Sequence, residues 1–412
     1  MKKLFLACAL LVVVAPAAML RAAEITDVID AADGDDPFDF NIDINFSSTL
    51  NRSKITHEWS DAWTDTERPD YNELRYQQQI YRMDYMIEIG LYHDLELYVN
   101  LPWIISDKKS IGYVKGVSGT NSTLYRPGAT ENALGVDPST SPEVKRAGIG
   151  DMKIGVKWAP FNDERVDTES VWVFGLEYTI PSGSLNDPQQ AVGGGTGGVG
   201  MGHHILTPYI MFSHRFKVLD PYVGVWGSIP IQGKEAKKIG LTVPYQGGFF
   251  TGLEIVPWEN PDKHQKFAID VRLTSDFIAE ADSNGEDNIR GTITELTDFL
   301  ACYSTDCTSG GGDPATLRQV QYQSNFARFG AHLGFTIRAA EFVRFRAGVS
   351  LEHQTEHFLS GADPCLDSNG DGDCTGEQPS NYFNRIYDLP GKRIRVEETT
   401  LFTYWVTGMV TF

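Results

Sequence analysis

The residues at 38–46 read Phe-Asp-Phe-Asn-Ile-Asp-Ile-Asn-Phe, so apolar and polar side chains alternate without interruption. Side chains of a β-strand point to opposite faces with a period of two, so this stretch predicts a strand with one apolar and one polar face. The same alternation recurs along the chain, and about twelve such strands can be counted between Phe38 and Phe412. The pattern predicts an all-β fold.

The connections between the predicted strands alternate in length. Short connections fall at 92–94, 160–169, 217–220, 257–265 and 338–341, and longer ones at 51–73, 105–147, 182–203, 232–243, 277–321 and 355–392. Outer-membrane barrels have an even number of strands, short periplasmic turns and long extracellular loops. The sequence therefore predicts a single antiparallel transmembrane β-barrel in the outer membrane of a Gram-negative bacterium, with both termini periplasmic.

The two ends of the chain agree with export and insertion. Residues 1–23 predict a signal peptide: two lysines precede an apolar stretch, and small residues form a cleavage site near Ala23. Residues 24–37 then form a short periplasmic segment, too short for a plug domain, and residues 38–412 form the barrel. The last strand ends in Phe412, which resembles the signal read by the barrel-assembly machinery.

The charge of the chain limits its partners. The formal net charge is −20 and the mean hydropathy is −0.26. Nothing in such a chain would neutralise nucleic-acid phosphates, so a nucleic-acid partner is excluded. Electrostatic docking of the whole protein onto an anionic membrane surface is disfavoured for the same reason. The expected partners are outer-membrane lipids and a small hydrophobic solute.

Charged side chains of both signs fall on the polar faces of the predicted strands. The candidates for lining the lumen are Arg82, Asp84, Glu88, Glu177, Asp270, Arg272, Arg328, Arg344 and Arg346. Both signs together indicate ion pairs across the barrel that narrow its interior, although structural packing of a small barrel would also account for them. Twelve strands enclose less space than a sixteen-stranded porin, which predicts a restricted path.

Two features of the predicted extracellular loops concern bridges and metals. Cys302 and Cys307, and Cys365 and Cys374, form two close pairs, which predict local disulfides in an exported protein. Zinc binding is the alternative, but neither pair has CxxC spacing. Asp367, Asn369, Asp371 and Asp373 match the first half of a calcium loop, and the alternative there is a solvated acidic loop.

Three stretches resemble an outer-membrane transporter family named for the MetA pathway of phenol degradation. They are GLYHDLELYVNLPW (Gly90–Trp103), GIGDMKIGVKWAPF (Gly148–Phe161) and EYTIPSG (Glu177–Gly183), within a resemblance that covers about 76–231. The resemblance implies movement of small hydrophobic or aromatic compounds across the outer membrane. The cysteine pairs and the loops at 277–321 and 355–392 depart from the family pattern.

Three functional hypotheses remain open. The first is a non-enzymatic channel for passive uptake of small hydrophobic or aromatic compounds. The second is a lipid-modifying enzyme at the barrel rim, and the third is a structural or surface-exposed protein whose loops carry the function. His353, Glu356 and His357 spell a zinc-peptidase motif, but on a strand residues four apart stand roughly 13 Å from each other and cannot share one metal.

Overall fold

Twelve long strands form one antiparallel sheet that closes on itself in the computed structural model of the protein. The described residues are 23–29, 39–58, 60–61, 66–67, 71–118, 122, 143–162, 170–188, 196–281, 291–300, 322–361, 374–375, 383 and 387–412. The barrel strands are β1 (Phe40–His57), β2 (Tyr71–Tyr92), β3 (Leu95–Tyr113), β4 (Met152–Phe161), β5 (Val171–Ile180), β6 (His203–Ser213), β7 (Leu219–Gln232), β8 (Gln246–Asn260), β9 (Gln265–Ile278), β10 (Phe326–Ala340), β11 (Val343–Gln354) and β12 (Ile394–Thr411). Each strand pairs with its neighbours in the chain, and β1 pairs with both β2 and β12. The predicted twelve-stranded antiparallel barrel is confirmed.

Short strands and helices lie in the connections between the barrel strands. The strand Val144–Ile149 precedes β4 and pairs with the extracellular half of β3, and Thr196–Gly197 pairs with it in parallel. His357–Phe358 pairs with β12. Ser60–Asp61 pairs with Thr66–Glu67. The helices are α1 (Lys234–Ile239), the 3-10 turn Pro261–Lys263 and α2 (Thr297–Leu300). No helix within the described part of the chain is long and apolar enough to cross a membrane.

The burial pattern shows which way each strand face points. In β5, Val171 and Val173 are buried, whereas the intervening Trp172 and Phe174 are exposed by 40% and 38%. A water-soluble protein of this size would bury such large apolar side chains, but a barrel presents them to lipid. The same outward apolar series runs along the other strands, so the apolar faces form the lipid-facing band.

Tryptophan side chains mark the two edges of this band. Trp158, Trp172 and Trp258 are exposed next to short turns, and Trp103 is exposed toward the opposite end of β3. Indole rings favour the membrane–water interface because they join an apolar body to a polar N–H group. The apolar band, its aromatic edges and the closed sheet place this protein in the outer membrane.

The strands extend farther toward the extracellular side than the sequence indicates. β1 reaches His57, β2 begins at Tyr71 and β3 continues to Tyr113, so the connections expected at 51–73 and 105–147 are shorter. These outer strand segments have shorter apolar series on their outward faces, which explains why alternation alone missed them. The first strand also begins at Phe40 rather than Phe38.

Candidate functional site

The periplasmic end of the lumen contains the segment 23–29. Its Glu24 carboxylate accepts hydrogen bonds from Arg344 Nη1 of β11 at 2.5 Å and from Lys266 Nζ of β9 at 3.2 Å. The same Arg344 group also contacts Asp27 at 3.2 Å. Burial by itself would raise the pKa of the Glu24 carboxyl, but the combined effect of Arg344, Lys266 and Arg346 lowers it well below its ordinary value. Glu24 is therefore held as a buried carboxylate.

Backbone and apolar contacts complete the attachment of this segment. The N–H group of Glu24 donates to Glu254 of β8 at 3.0 Å, and that of Ile29 donates to Glu96 of β3 at 3.2 Å. Ile25 and Val28 pack in an apolar cluster with Ala159, Val171, Val173 and Met211. The segment is thus in contact with strands β3 to β6, β8, β9 and β11. Although it is too short to be a domain, it occupies the lumen at its periplasmic end, which its sequence did not reveal.

A second segment, 291–300, lies within the extracellular end of the lumen. Asp298 of α2 is fully buried and accepts hydrogen bonds from Lys109 Nζ at 2.6 Å and Arg146 Nη2 at 2.5 Å. Arg146 is 1% exposed and also donates to the carbonyl oxygens of Gly198 at 2.9 Å and Asp187 at 3.3 Å. One buried ion-pair cluster therefore joins the ends of two strands to two extracellular loops.

Apolar side chains surround this ion-pair cluster. Leu296 and Phe299 are buried in one apolar cluster with strand residues near the extracellular end and with two loop residues. The strand residues are Ile55, Leu74, Tyr76, Val144, Ile394 and Val396, and the loop residues are Leu359 and Tyr387. Burial of this amount of apolar surface favours the inward position of 291–300, because each large side chain removed from water contributes about 1.5–3 kcal/mol. We call this segment the extracellular cap.

A histidine–carboxylate pair borders the cap. His357 Nε2 lies 3.8 Å from Glu295, and the His357 ring stacks on Phe326 with 4.4 Å between ring centroids. Burial would raise the pKa of the Glu295 carboxyl, but the neighbouring His357 lowers it. The pair fixes the start of the cap against the ends of β10 and β11.

Between the two segments, aromatic rings lie flat over glycines of the inner wall. A Cβ atom added to Gly155 would lie 2.2 Å from the Tyr98 ring, and one added to Gly175 would lie 2.0 Å from the Tyr209 ring. Tyr222 over Gly252, Phe250 over Gly224 and Trp405 over Gly348 repeat the arrangement. Glycine lets each ring lie along the wall instead of projecting across the lumen, which is the known rescue of strand glycines by aromatic neighbours.

The predicted lumen residues on β2 and β5 form hydrogen bonds near the wall. Arg82 Nε donates to Asp84 on the same strand at 2.9 Å. Glu88 accepts from Lys157 Nζ at 3.1 Å, and Glu177 accepts from Lys153 Nζ at 2.7 Å. The two lysines belong to β4, so each of these partners lies on the same or a nearby strand.

The remaining candidates lie on β9, β10 and β11. Asp270 accepts from the Tyr222 hydroxyl and lies 3.5 Å from Arg272, two residues along the same strand. Arg328 lies between Asp276 at 3.1 Å and Glu352 at 3.6 Å, on the two flanking strands. Arg344 binds the segment 23–29 as described above, and Arg346 lies close enough to Glu24 to lower its pKa. Apart from Arg344, whose partners lie on segment 23–29 inside the lumen, the recorded partners of these groups follow the wall, so the expectation of ion pairs across the barrel was wrong for them.

Several charged groups at the two occupied ends of the lumen were not among the candidates predicted from the sequence. They are Glu24 and Lys266 at the periplasmic end, and Lys109, Arg146 and Asp298 at the extracellular end. Lys109 and Arg146 occupy inward positions of the alternation, which is the signal that would have identified them. Asp298 lies outside any strand, so no periodicity marks it.

The candidate loop sites lie largely outside the described residues. All four predicted calcium ligands, Asp367, Asn369, Asp371 and Asp373, fall there, as do Cys302, Cys307 and Cys365. Of the four loop cysteines, only Cys374 lies within the described part. The calcium site, both disulfides and the signal peptide therefore stay predictions.

No family model matches the chain, and no curated protein matches it. Among solved structures, an outer membrane channel from Pseudomonas putida F1 is 9% identical with a TM-score of 0.35, over 90% of this chain and 95% of that one. A Pseudomonas aeruginosa FadL homologue is 8% identical with a TM-score of 0.31, over 90% of each chain. The outer membrane protease OmpT from Escherichia coli is 7% identical with a TM-score of 0.32, over 91% of this chain and 97% of that one.

Proposed function

We propose that this protein is a gated outer-membrane channel for the passive uptake of small hydrophobic or aromatic molecules. The observation that carries the proposal is the occupation of both lumen ends, by segment 23–29 on the periplasmic side and by the extracellular cap on the other. A permanently open water-filled pore would have neither segment inside its wall. Passage therefore requires displacement of each segment.

The wall between the two segments favours an apolar solute over a hydrated one. Many of its charges are paired with neighbours on the wall, as Arg82 is with Asp84 and Arg328 with Asp276. Aromatic rings lie along the wall between these pairs, and ring faces attract flat apolar molecules through stacking and burial. A sugar would lose hydrating water at the cap, and charges that are already paired replace those hydrogen bonds poorly. The resemblance of 76–231 to an aromatic-compound transporter family supports the same solute class.

Solute flux into vesicles tests the proposal. Purified protein is reconstituted, and the entry of phenol is compared with that of a small neutral sugar. We expect phenol to enter clearly faster than it does into protein-free vesicles, while sugar entry stays close to the protein-free rate. A variant lacking the cap anchor, Asp298→Asn, should raise sugar entry. Equal flux of both solutes through the unmodified protein would indicate a general pore and refute the proposal.

The geometry offers no support for a zinc peptidase at the rim. His353 is exposed on the outer face of β11, whereas His357 is buried against Glu295, so the two rings lie on opposite sides of the wall. Glu356, the carboxylate of the same motif, lies 4.0 Å from Arg395. A lipid-modifying enzyme and a purely structural barrel remain the alternatives to the channel, and absence of phenol flux through folded protein would favour them.

A further inference from the structure

Five cationic side chains lie on the outer face of the barrel, near the extracellular ends of four consecutive strands. They are Arg52 and Lys54 of β1, Arg75 of β2, Lys108 of β3 and Lys145 of the short strand before β4. Arg75 lies between buried Leu74 and Tyr76, and Lys145 lies between buried Val144 and Arg146. Since successive strand residues point to opposite faces, both cations point away from the lumen. We call the five residues the outer basic patch.

The strand register places like charges side by side in this patch. Lys54 is directly opposite Arg75, and Lys108 is directly opposite Lys145. Like charges at directly opposed positions of an antiparallel pair destabilise the sheet. Two such pairs on adjacent strands, in a protein with a net charge of −20, leave a local excess of positive charge that an anionic partner would offset.

Carboxylates of the protein offset this charge only in part. Lys54 Nζ lies 2.5 Å from Glu398, and Lys108 Nζ lies 3.5 Å from Glu143. The Glu398 and Glu143 side chains are 63% and 43% exposed, and exposed ion pairs contribute little stability. Arg75 donates a hydrogen bond to the carbonyl oxygen of Tyr113 at 3.4 Å. A carbonyl group has no net charge, so this contact does not neutralise the Arg75 guanidinium.

The patch lies at the height of lipid headgroups. On β2 the outward apolar series begins at Tyr81, six residues after Arg75 in the chain. At about 3.3 Å per residue and the usual strand tilt, Arg75 lies roughly 15 Å beyond Tyr81 along the membrane normal. The arginine and lysine stems can bend back toward the apolar band, so their charged groups reach the headgroup layer.

We propose that the outer basic patch binds the phosphate groups of a phosphorylated glycolipid in the outer leaflet. Arginine guanidinium groups bind phosphate oxygens in pairs, and lysine ammonium groups add point charges, so the patch has the donors that such a headgroup needs. Exposed Gln77 lies between Arg75 and the apolar band and provides an amide for the sugar. The acyl chains of the lipid would cover the apolar face below. The net negative charge of the whole chain does not prevent this, because lipid phosphates contact the local patch.

Binding of lipid A to the full-length protein in detergent tests the proposal. Native mass spectrometry counts bound bisphosphorylated lipid A during a titration, beside dephosphorylated lipid A with the same acyl chains. The test variant combines Arg75→Gln, Lys108→Gln and Lys145→Gln. The control combines Lys234→Gln, Lys237→Gln and Lys238→Gln, which removes the same charge from α1. A change of gel migration between unheated and heated samples verifies that each variant is folded.

We expect the test variant to bind bisphosphorylated lipid A at least about tenfold more weakly than the unmodified protein, with the control unchanged, because each cation near anionic lipid contributes appreciably to binding. Dephosphorylated lipid A should bind weakly to all three proteins. Equal binding by the test variant, or equal binding of the two lipids, would overturn the proposal. Displacement of the lipid by millimolar inorganic phosphate would also overturn it, since the site would then be a general anion site.

Discussion

Asp298 and Arg146 form a buried ion pair with 2.5 Å between Oδ1 and Nη2, and the two residues are 152 positions apart in the chain. Neither side chain is more than 1% exposed. The pair therefore joins the extracellular cap to the barrel wall, beside the apolar contacts of Leu296 and Phe299.

Removal of the Asp298 charge should release the cap. Asp298→Asn leaves Arg146 and Lys109 as buried charges without a carboxylate, and breaking such a pair costs about 3–5 kcal/mol. Limited proteolysis on intact cells should then cleave within 291–300 faster than in the unmodified protein. Glu235→Gln, which removes an exposed carboxylate near Lys238, is the matched control and should change nothing. Unchanged proteolysis of Asp298→Asn would show that apolar packing alone holds the cap.

The cap should withstand mild acid and open only at low pH. Burial would raise the pKa of Asp298, but Lys109 and Arg146 lower it to about 2, below the ordinary value of about 3.9. The stabilisation from a lowered carboxyl pKa is fully present above about pH 4 and is lost as the pH falls toward 2. Hydrogen exchange of 291–300 should therefore be constant from pH 7 to 5, after correction for intrinsic rates. Increased opening within that interval would contradict the assignment.

Loss of the arginines that hold segment 23–29 should admit hydrated solutes. The double substitution Arg344→Ala and Arg346→Ala removes both contacts of Arg344 with Glu24 and Asp27. We expect sugar flux in vesicles to increase severalfold while phenol flux changes little. Arg338→Ala, at the periplasmic end of β10, removes one arginine outside this network and serves as the control. If sugar flux stays at the level of the unmodified protein, segment 23–29 does not limit passage.

A methyl group under an inner-wall aromatic ring should destabilise the barrel. Alanine at Gly175 would place its Cβ 2.0 Å from the Tyr209 ring, so the ring must move. Overpacking of this kind costs typically about 1–3 kcal/mol. The midpoint of urea unfolding in micelles should fall for Gly175→Ala and stay nearly constant for Gly112→Ala, whose added Cβ meets no atom within 4 Å. Equal midpoints would show that the ring yields without cost.

Labelling of introduced cysteines tests the orientation of the barrel. Lys237 of α1 lies in a long connection, and Lys263 lies in the short turn between β8 and β9, and both are exposed. An impermeant thiol reagent added to intact cells should label Lys237→Cys but not Lys263→Cys. Both should react after the outer membrane is broken, which controls for reactivity. Labelling of Lys263→Cys from outside would reverse the topology.

Sequence alone determined the architecture of this protein. A strand has a period of exactly two residues whatever its partners are, so Phe38 to Phe46 or Trp172 to Ile180 reveal a lipid face and a lumen face directly. Twelve such strands and alternating connection lengths are sufficient for a barrel. The inward positions of Arg82, Arg328 and Arg344 follow from the same local rule.

Only the tertiary structure shows that both ends of the lumen are occupied. Segment 23–29 and residues 291–300 have no periodicity, and their positions depend on side chains such as Arg344 and Arg146 that are remote in sequence. The ion pairs could not be assigned either, because a charge on an inward position can reach several neighbours until register and bulges are known. Local alternation specifies which face a residue occupies, whereas closure of the sheet brings together the groups that it meets there.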